Sequence, residues 1–120
     1  MGATNFCSEG RGLTMANTFD VLVNDARYGH GHGGYTGTIA EKNGFIEVNV
    51  PAGVDVQTFM NWIENFDYEP GVVPLKHVSY VRELSRRYND KWGPALGIKL
   101  SEPPDENGFS AFVFFGFASE

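Results

Sequence analysis

The residue types best suited to chemistry crowd into one stretch, Tyr28-Gly29-His30-Gly31-His32-Gly33-Gly34-Tyr35-Thr36-Gly37-Thr38-Ile39, which holds two of the chain's three histidines. Three chemistries fit those residues. In extended backbone, side chains two apart project to the same side, so His30 and His32 could present two imidazoles to a transition metal. A histidine that titrates near neutral pH could instead act as a general base, beside Tyr35, Thr36 or Thr38, with glycine amides facing a developing negative charge. A nest of glycine N–H groups could also hold an anion without catalysis.

Each chemistry has a counterweight. Two histidines do not complete a metal site, and only His77, Cys7 or a carboxylate such as Asp25 is on hand to add to them. No G-x-S-x-G elbow or H-E-x-x-H pair marks a nucleophile or a zinc centre. Gly29 to Gly34 formally satisfies G-x-G-x-x-G. That fingerprint works only after a strand and at the start of a helix, where helix amides meet a pyrophosphate. A Walker loop fails as well, because Tyr35-Thr36 stands where Lys-Ser/Thr is required. The plainest alternative is a connection that needs positive φ angles. Five glycines in the nine positions from Gly29 to Gly37 exceed what one turn needs, which favours a binding surface.

The elements around the segment follow from periodicity. Thr14 can cap a helix whose apolar residues Met15, Phe19, Leu22, Val23 and Ala26 fall on one stripe, ending near Tyr28-Gly29. The glycine segment then leaves a helix C-terminus, whose dipole disfavours phosphate. Thr36 to Lys42 and Phe45 to Val50 flank Asn43-Gly44, which predicts a two-residue hairpin. Asp55 can cap a second helix carrying Val56, Phe59, Met60, Ile63 and Phe66. The spacing predicts a third helix from Leu75 to Lys91, with His77, Val81, Leu84 and Tyr88 inside and Trp92 closing over the sheet. Its outer side holds Arg82, Arg86, Arg87 and Lys91, with Glu83 able to pair with Arg87. Arg82 and Arg86 are the candidates for receiving a phosphate or an acidic partner. Residues 4 to 9 read as a first strand, with Cys7 as an inert, half-buried thiol. Ala95 to Leu100 and the run FSAFVFFGFAS read as a last hairpin, the second strand covered on both faces. Gly116 there invites a bulge or a close backbone approach.

A length of 120 residues with 42% hydrophobic and 14% aromatic content suits one domain, residues 1–120, with a modest core. Fifteen acids against nine bases give a net charge of -6, which opposes non-specific nucleic-acid or anionic-membrane binding. Each half of the chain carries -3, so no charged tail stands out. One cysteine excludes an internal disulfide, and no membrane-span or signal-peptide pattern is seen, which points to a cytoplasmic protein.

The opening Met1-Gly2-Ala3-Thr4-x-Phe6, the segment Tyr28 to Lys42 and the ending Phe114-Phe115-Gly116-Phe117-Ala118-Ser119 together resemble a group of small, functionally uncharacterised phage and prokaryotic proteins. The resemblance spans most of the chain and implies no activity, cofactor or residue role. It suggests a phage accessory or host-modulating setting.

The expected fold is therefore α+β, a single compact domain in the order strand-helix-strand-strand-helix-helix-strand-strand, with an antiparallel or mixed sheet and helices packed on it. The expected function is a small non-catalytic binding module, a phage accessory or host-modulating protein, that binds a host protein or a small anionic ligand through the glycine- and histidine-rich segment 28–38. Its candidate ligand-binding residues are His30, Gly31, His32, Gly33, Gly34, Tyr35, Thr36, Arg82 and Arg86, and its candidate metal ligands are His30 and His32. No cofactor is assigned, and a homo-oligomer is compatible with the chain. The alternative is a small hydrolase or transferase with His30 or His32 as general base, metal-assisted or not.

Overall fold

A strand that carries apolar side chains on both faces can be stable only with cover on both sides, and the run from Ser110 to Ser119 sits in that environment. In the structure, a computed structural model that describes residues 2–30 and 36–120, with His30 by its backbone alone, this run is the fourth strand of the chain. The elements are β1 (Ala3–Gly12), α1 (Met15–His30), β2 (Phe45–Glu47), α2 (Val56–Glu64), α3 (Val78–Tyr88), β3 (Ala95–Lys99) and β4 (Ser110–Ser119). Single 3-10 turns lie at Ile39–Glu41, Pro70–Val72 and Leu75–His77. The sheet order is β1-β4-β3-β2, with β4 antiparallel to both neighbours and β2 parallel to β3.

Alternation along β4 divides its side chains between two cores. Phe112 and Phe114 join Met15, Phe19 and Val23 of α1 and Ile39 on one face. Val113 and Phe115 join Leu96 and Ile98 of β3 with Phe59, Ile63, Val81, Leu84 and Tyr88 on the other. The molecule is a compact, single-domain α+β fold with a mixed four-stranded sheet between α1 and the α2–α3 pair. Burying one phenylalanine is worth about 1.5–3 kcal/mol, so the β4 aromatics outweigh any single surface contact.

The local signals that end helices behave as expected. The Thr14 hydroxyl accepts from the Asn17 N–H at 3.0 Å, and the Asp55 carboxylate accepts from Gln57 and Thr58 at 3.1 and 3.3 Å. The last hairpin forms as expected, with Leu96 opposite Phe115 and Ile98 opposite Val113. Its register with β1 runs unbroken through Phe6 opposite Gly116, so there is no bulge. Instead the Phe6 ring lies over Gly116, 3.5 Å from where a Cβ would stand.

Three expectations are corrected. The hairpin at Asn43-Gly44 does not form: the segment before it makes the Ile39–Glu41 turn, and β2 pairs with β3 instead. Gly44 lacks the positive φ that the expected tight turn requires. Its carbonyl accepts from the Ala95 N–H at 3.0 Å, and the Val48 N–H donates to the Gly97 carbonyl at 2.7 Å, so the long-range ladder satisfies this backbone. Second, α1 continues through Gly29 to His30, and Gly29 is helical rather than a left-handed cap. Third, β1 runs on through Gly10 and Gly12, where α1 comes close: a Cβ on Gly10 would lie 3.1 Å from the Thr18 methyl, and one on Gly12 would collide with the Thr18 hydroxyl. Among the described residues no helix is long and apolar enough to cross a membrane.

Gly97 shows how little space separates α1 from the sheet, since a Cβ there would stand 2.9 Å from both Met15 Sδ and a Phe114 ring carbon. Gly97→Ala is expected to destabilise the protein by about 1–3 kcal/mol through overpacking. Gly44→Ala, which meets nothing within 4 Å, should stay within about 0.5 kcal/mol of wild type. Urea denaturation of the two variants checks the contrast.

Candidate functional site

The glycine-histidine segment begins on the last turn of α1, which contains Tyr28, Gly29 and the His30 backbone. Gly31, His32, Gly33, Gly34 and Tyr35 lie outside the described residues, as does the His30 side chain. Its far shoulder is held tightly. The Thr36 N–H and hydroxyl both donate to Glu41 Oε2, at 3.0 and 2.8 Å. The hydroxyls of Thr36 and Thr38 lie 2.8 Å apart, and Thr38 Oγ1 accepts from the Ala40 N–H at 3.2 Å. Thr38-x-x-Glu41 thus acts as a capping device on a three-residue turn, with Glu41 reaching back to Thr36.

Gly37 shows why glycine is needed here. Its φ is +71°, and a Cβ would lie 2.7 Å from the Thr4 methyl while its N–H donates to the Ser119 carbonyl at 2.8 Å. The segment leaves a helix C-terminus, so the geometry of a dinucleotide loop is absent on its near side.

Next to this shoulder is Lys42, 2% exposed. Its ammonium donates to the carbonyls of Gly93 at 2.8 Å and of Asp90 and Lys91 at 3.3 Å. Burial pulls its pKa below the ordinary lysine value, and the Asp90 charge opposes that shift. The contacts pin the loop after α3 and leave Trp92 outside. The tryptophan expected to close the core is 67% exposed, with the Lys91 ammonium 5.1 Å from its ring centre. The carbonyls of the Asp90–Gly93 loop turn inward to the lysine, and the indole is displaced outward.

The basic row on α3 is divided by its partners. Arg86 and Arg87 pair with Glu83 at 3.1 and 3.3 Å, the latter as expected from the spacing. Lys91 donates to the Gly2 carbonyl at 3.3 Å. Arg82 makes no ion pair among the described residues, and its guanidinium lies 5.9 Å from the Phe66 ring centre. Arg82 and Arg86 border an open groove of about 550 Å³, lined also by Phe66, Asp67, Ser85 and Asn89. The Asn89 amide donates to Asp67 Oδ2 at 3.3 Å and to Ser85 Oγ at 3.4 Å. Arg82, Ser85, Arg86 and Asn89 stand at i, i+3, i+4 and i+7, so this polar stripe is the sequence signal that would have added Ser85 and Asn89 to the candidate residues.

The groove is on the α2–α3 face, whereas Ile39 places the Thr36–Lys42 shoulder on the α1 face. Arg82 and Arg86 are thus brought together, but not with Thr36. Among the described residues no group of three or more His, Cys, Asp or Glu could hold a metal. The pairing of His30 with His32 lies outside that set. His77 stacks on Trp62 with ring centres 5.9 Å apart. A second cavity, about 440 Å³, lies where the carboxyl ends of β2 and β3 meet the start of α2, with Glu47, Asp55, Lys99 and Glu102 in its walls. The expected hairpin concealed it, because parallel pairing of β2 with β3 is what creates this crevice.

Between the groove and β1, the Tyr88 hydroxyl donates to Glu64 Oε2 at 3.5 Å. Burial, then the Glu64 charge, pushes the Tyr88 phenol up to about 12. Burial likewise raises the Glu64 carboxyl, opposed by the bond from Tyr88. Burial, then the charges of Glu64 and Glu9, raise the Cys7 thiol above the ordinary cysteine value, and the side chain takes an exposed position on β1 rather than the half-buried one expected.

Because the native state holds the Tyr88 proton after the unfolded state has released it, this stabilisation is full below pH 10 and is lost between about pH 10 and 12. Lys42 acts in the opposite sense, since its lowered pKa adds stability as the pH rises. The comparison of wild type with Tyr88→Phe isolates the phenol: wild type should lose about 2–3 kcal/mol more than the variant across that window. Urea midpoints measured from pH 8 to 12 check it.

No protein-family model matches the chain, and no curated protein or solved structure matches it. The groove and the shoulder must therefore be read from their own chemistry.

Proposed function

We propose that this protein is a non-catalytic binding module for a small anionic ligand, and that the α3 groove is where the anion sits. One observation carries the reading: Arg82 stands over the Phe66 ring with no carboxylate partner among the described residues, on the same stripe as Arg86, Ser85 and Asn89. A guanidinium set over an aromatic face and without a carboxylate partner keeps its N–H fork available for a phosphate or carboxylate. Asp67 opposes an anion in this groove, and its bond from Asn89 partly screens it.

The segment from His30 to Thr36 belongs to the same proposal as a second contact surface, suited to a protein partner. The phage and host-modulating setting implied by the resemblance would make that partner a host protein, in the cytoplasm. Catalysis by His30 or His32 remains the competing reading, and the histidine variants below separate the two.

Calorimetric titration with inorganic phosphate and with mono-, di- and cyclic nucleotides should give heat for at least one of them. Arg82→Glu should weaken that affinity by about 10–100-fold, the worth of one charge-assisted bond, and most steeply at low salt. Replacing both His30 and His32 by alanine should leave it unchanged. Absence of heat with every ligand would sink the anion reading. Turnover of a nucleotide that disappears in the double histidine variant would favour the enzyme.

A further inference from the structure

The sheet order leaves β1, ten residues long, as an edge strand whose outer side has no strand partner among the described residues. Its backbone polarity can be assigned. Glu120 donates its N–H to the Gly2 carbonyl at 3.3 Å, while the Ser119 carbonyl turns the other way and accepts from Gly37. Antiparallel pairs alternate between hydrogen-bonded and non-hydrogen-bonded types. Even-numbered residues of β1 therefore bond to β4, and Asn5, Cys7, Glu9 and Arg11 direct their N–H and C=O groups outward. Such a row is a template for another strand unless something covers it.

The surroundings of this edge favour a strand of particular composition. On the α1 face the positions along its last half are small, Ser8, Gly10 and Gly12, following Phe6. Above them α1 presents exposed apolar side chains, Val21 at 56% and Leu13, just before the helix, at 63%. They line a cavity of about 350 Å³ with Arg11, Thr18 and Phe109. The odd-numbered side chains of β1 are exposed on the opposite face, and two of them carry opposite charges.

We propose that β1 pairs with β1 of a second copy, antiparallel about a two-fold axis at Gly10, so that two four-stranded sheets become one. Hydrogen-bond polarity requires odd residues to face odd residues, which leaves few registers. An axis at Glu9 or Arg11 sets a like charge opposite itself, and an axis at Cys7 or Ser8 leaves both charges facing uncharged residues. Only the axis at Gly10 places Glu9 opposite Arg11 of the second copy, twice per interface. Arg11 already pairs with Glu102 of its own chain, and its five donors can span both carboxylates. Gly10 at the axis, with no side chain, lets the two α1 flanks approach and bury Leu13 and Val21 of each copy.

Sedimentation velocity on the full chain, from about 1 μM to about 1 mM, should show a concentration-dependent dimer and nothing larger, because the two-fold pairing closes on itself. Glu9→Arg and Arg11→Glu, each alone, should weaken dimerisation by at least about tenfold by setting like charges opposite one another. The double variant carrying both changes should restore it. Glu9→Pro, which removes an outward N–H facing Arg11 of the second copy and no bond to β4, should yield a folded protein with weakened pairing. Circular dichroism and urea midpoints confirm that the variants are folded. A chain monomeric across the series would overturn the proposal. So would a dimer indifferent to charge reversal, or a monomer that instead captures an extended peptide of unrelated sequence along β1.

Discussion

Because alternate side chains of β4 include phenylalanines on both faces, neither side of the sheet can be left to water. Phe114 and Phe115 are neighbours in sequence, point in opposite directions and are both fully buried. One helix covers one face and two helices cover the other. β1 and β3 then satisfy the β4 backbone on its two sides, and β2 has only the far edge of β3 to join. Small residues on the α1 face, Gly10, Gly12, Ala95 and Gly97, bring that helix close enough for its methionine and phenylalanine to reach the sheet.

Much of this was legible in the sequence wherever a local signal and its tertiary environment agreed. Thr14 and Asp55 cap helices because their hydrogen bonds close within three residues. The apolar run of β4 announced a central strand because two-sided burial needs no knowledge of its neighbours. Asn43-Gly44 misled because its turn preference, worth little by itself, competed with a ladder to β3 that periodicity cannot reveal. Trp92 misled in a similar way: a large aromatic ring usually prefers the interior, but a buried lysine took the loop carbonyls and turned the ring outward. Arg82 and Arg86 were readable as a basic pair. Their separation from Thr36 was not, since nothing in a linear pattern tells which face of a sheet a helix will take.

That separation gives the molecule two chemically different surfaces. One is a groove bearing two arginines on a protein whose net charge is -6, so long-range repulsion works against anions and only close contacts inside the groove can favour one. The other is the shoulder of the glycine-histidine segment, held by Thr36, Thr38 and Glu41 and backed by Lys42. The two faces are joined through the β4 core, which packs densely and has little freedom to deform, and through the Lys42 ammonium, which holds the loop that follows α3.

Lys42 alone among the four lysines is sealed from solvent. The other lysines, at 76, 91 and 99, are exposed or half-exposed, and their amines are open to acylating reagents while the protein is folded. The Lys42 amine is enclosed by backbone carbonyls and sealed from solvent, and acylation needs a reagent to reach it. Its labelling therefore waits for the loop and the adjoining turn to separate. The rate at which this one lysine is modified reads out the opening of the domain, with the other three serving as internal standards on the same chain.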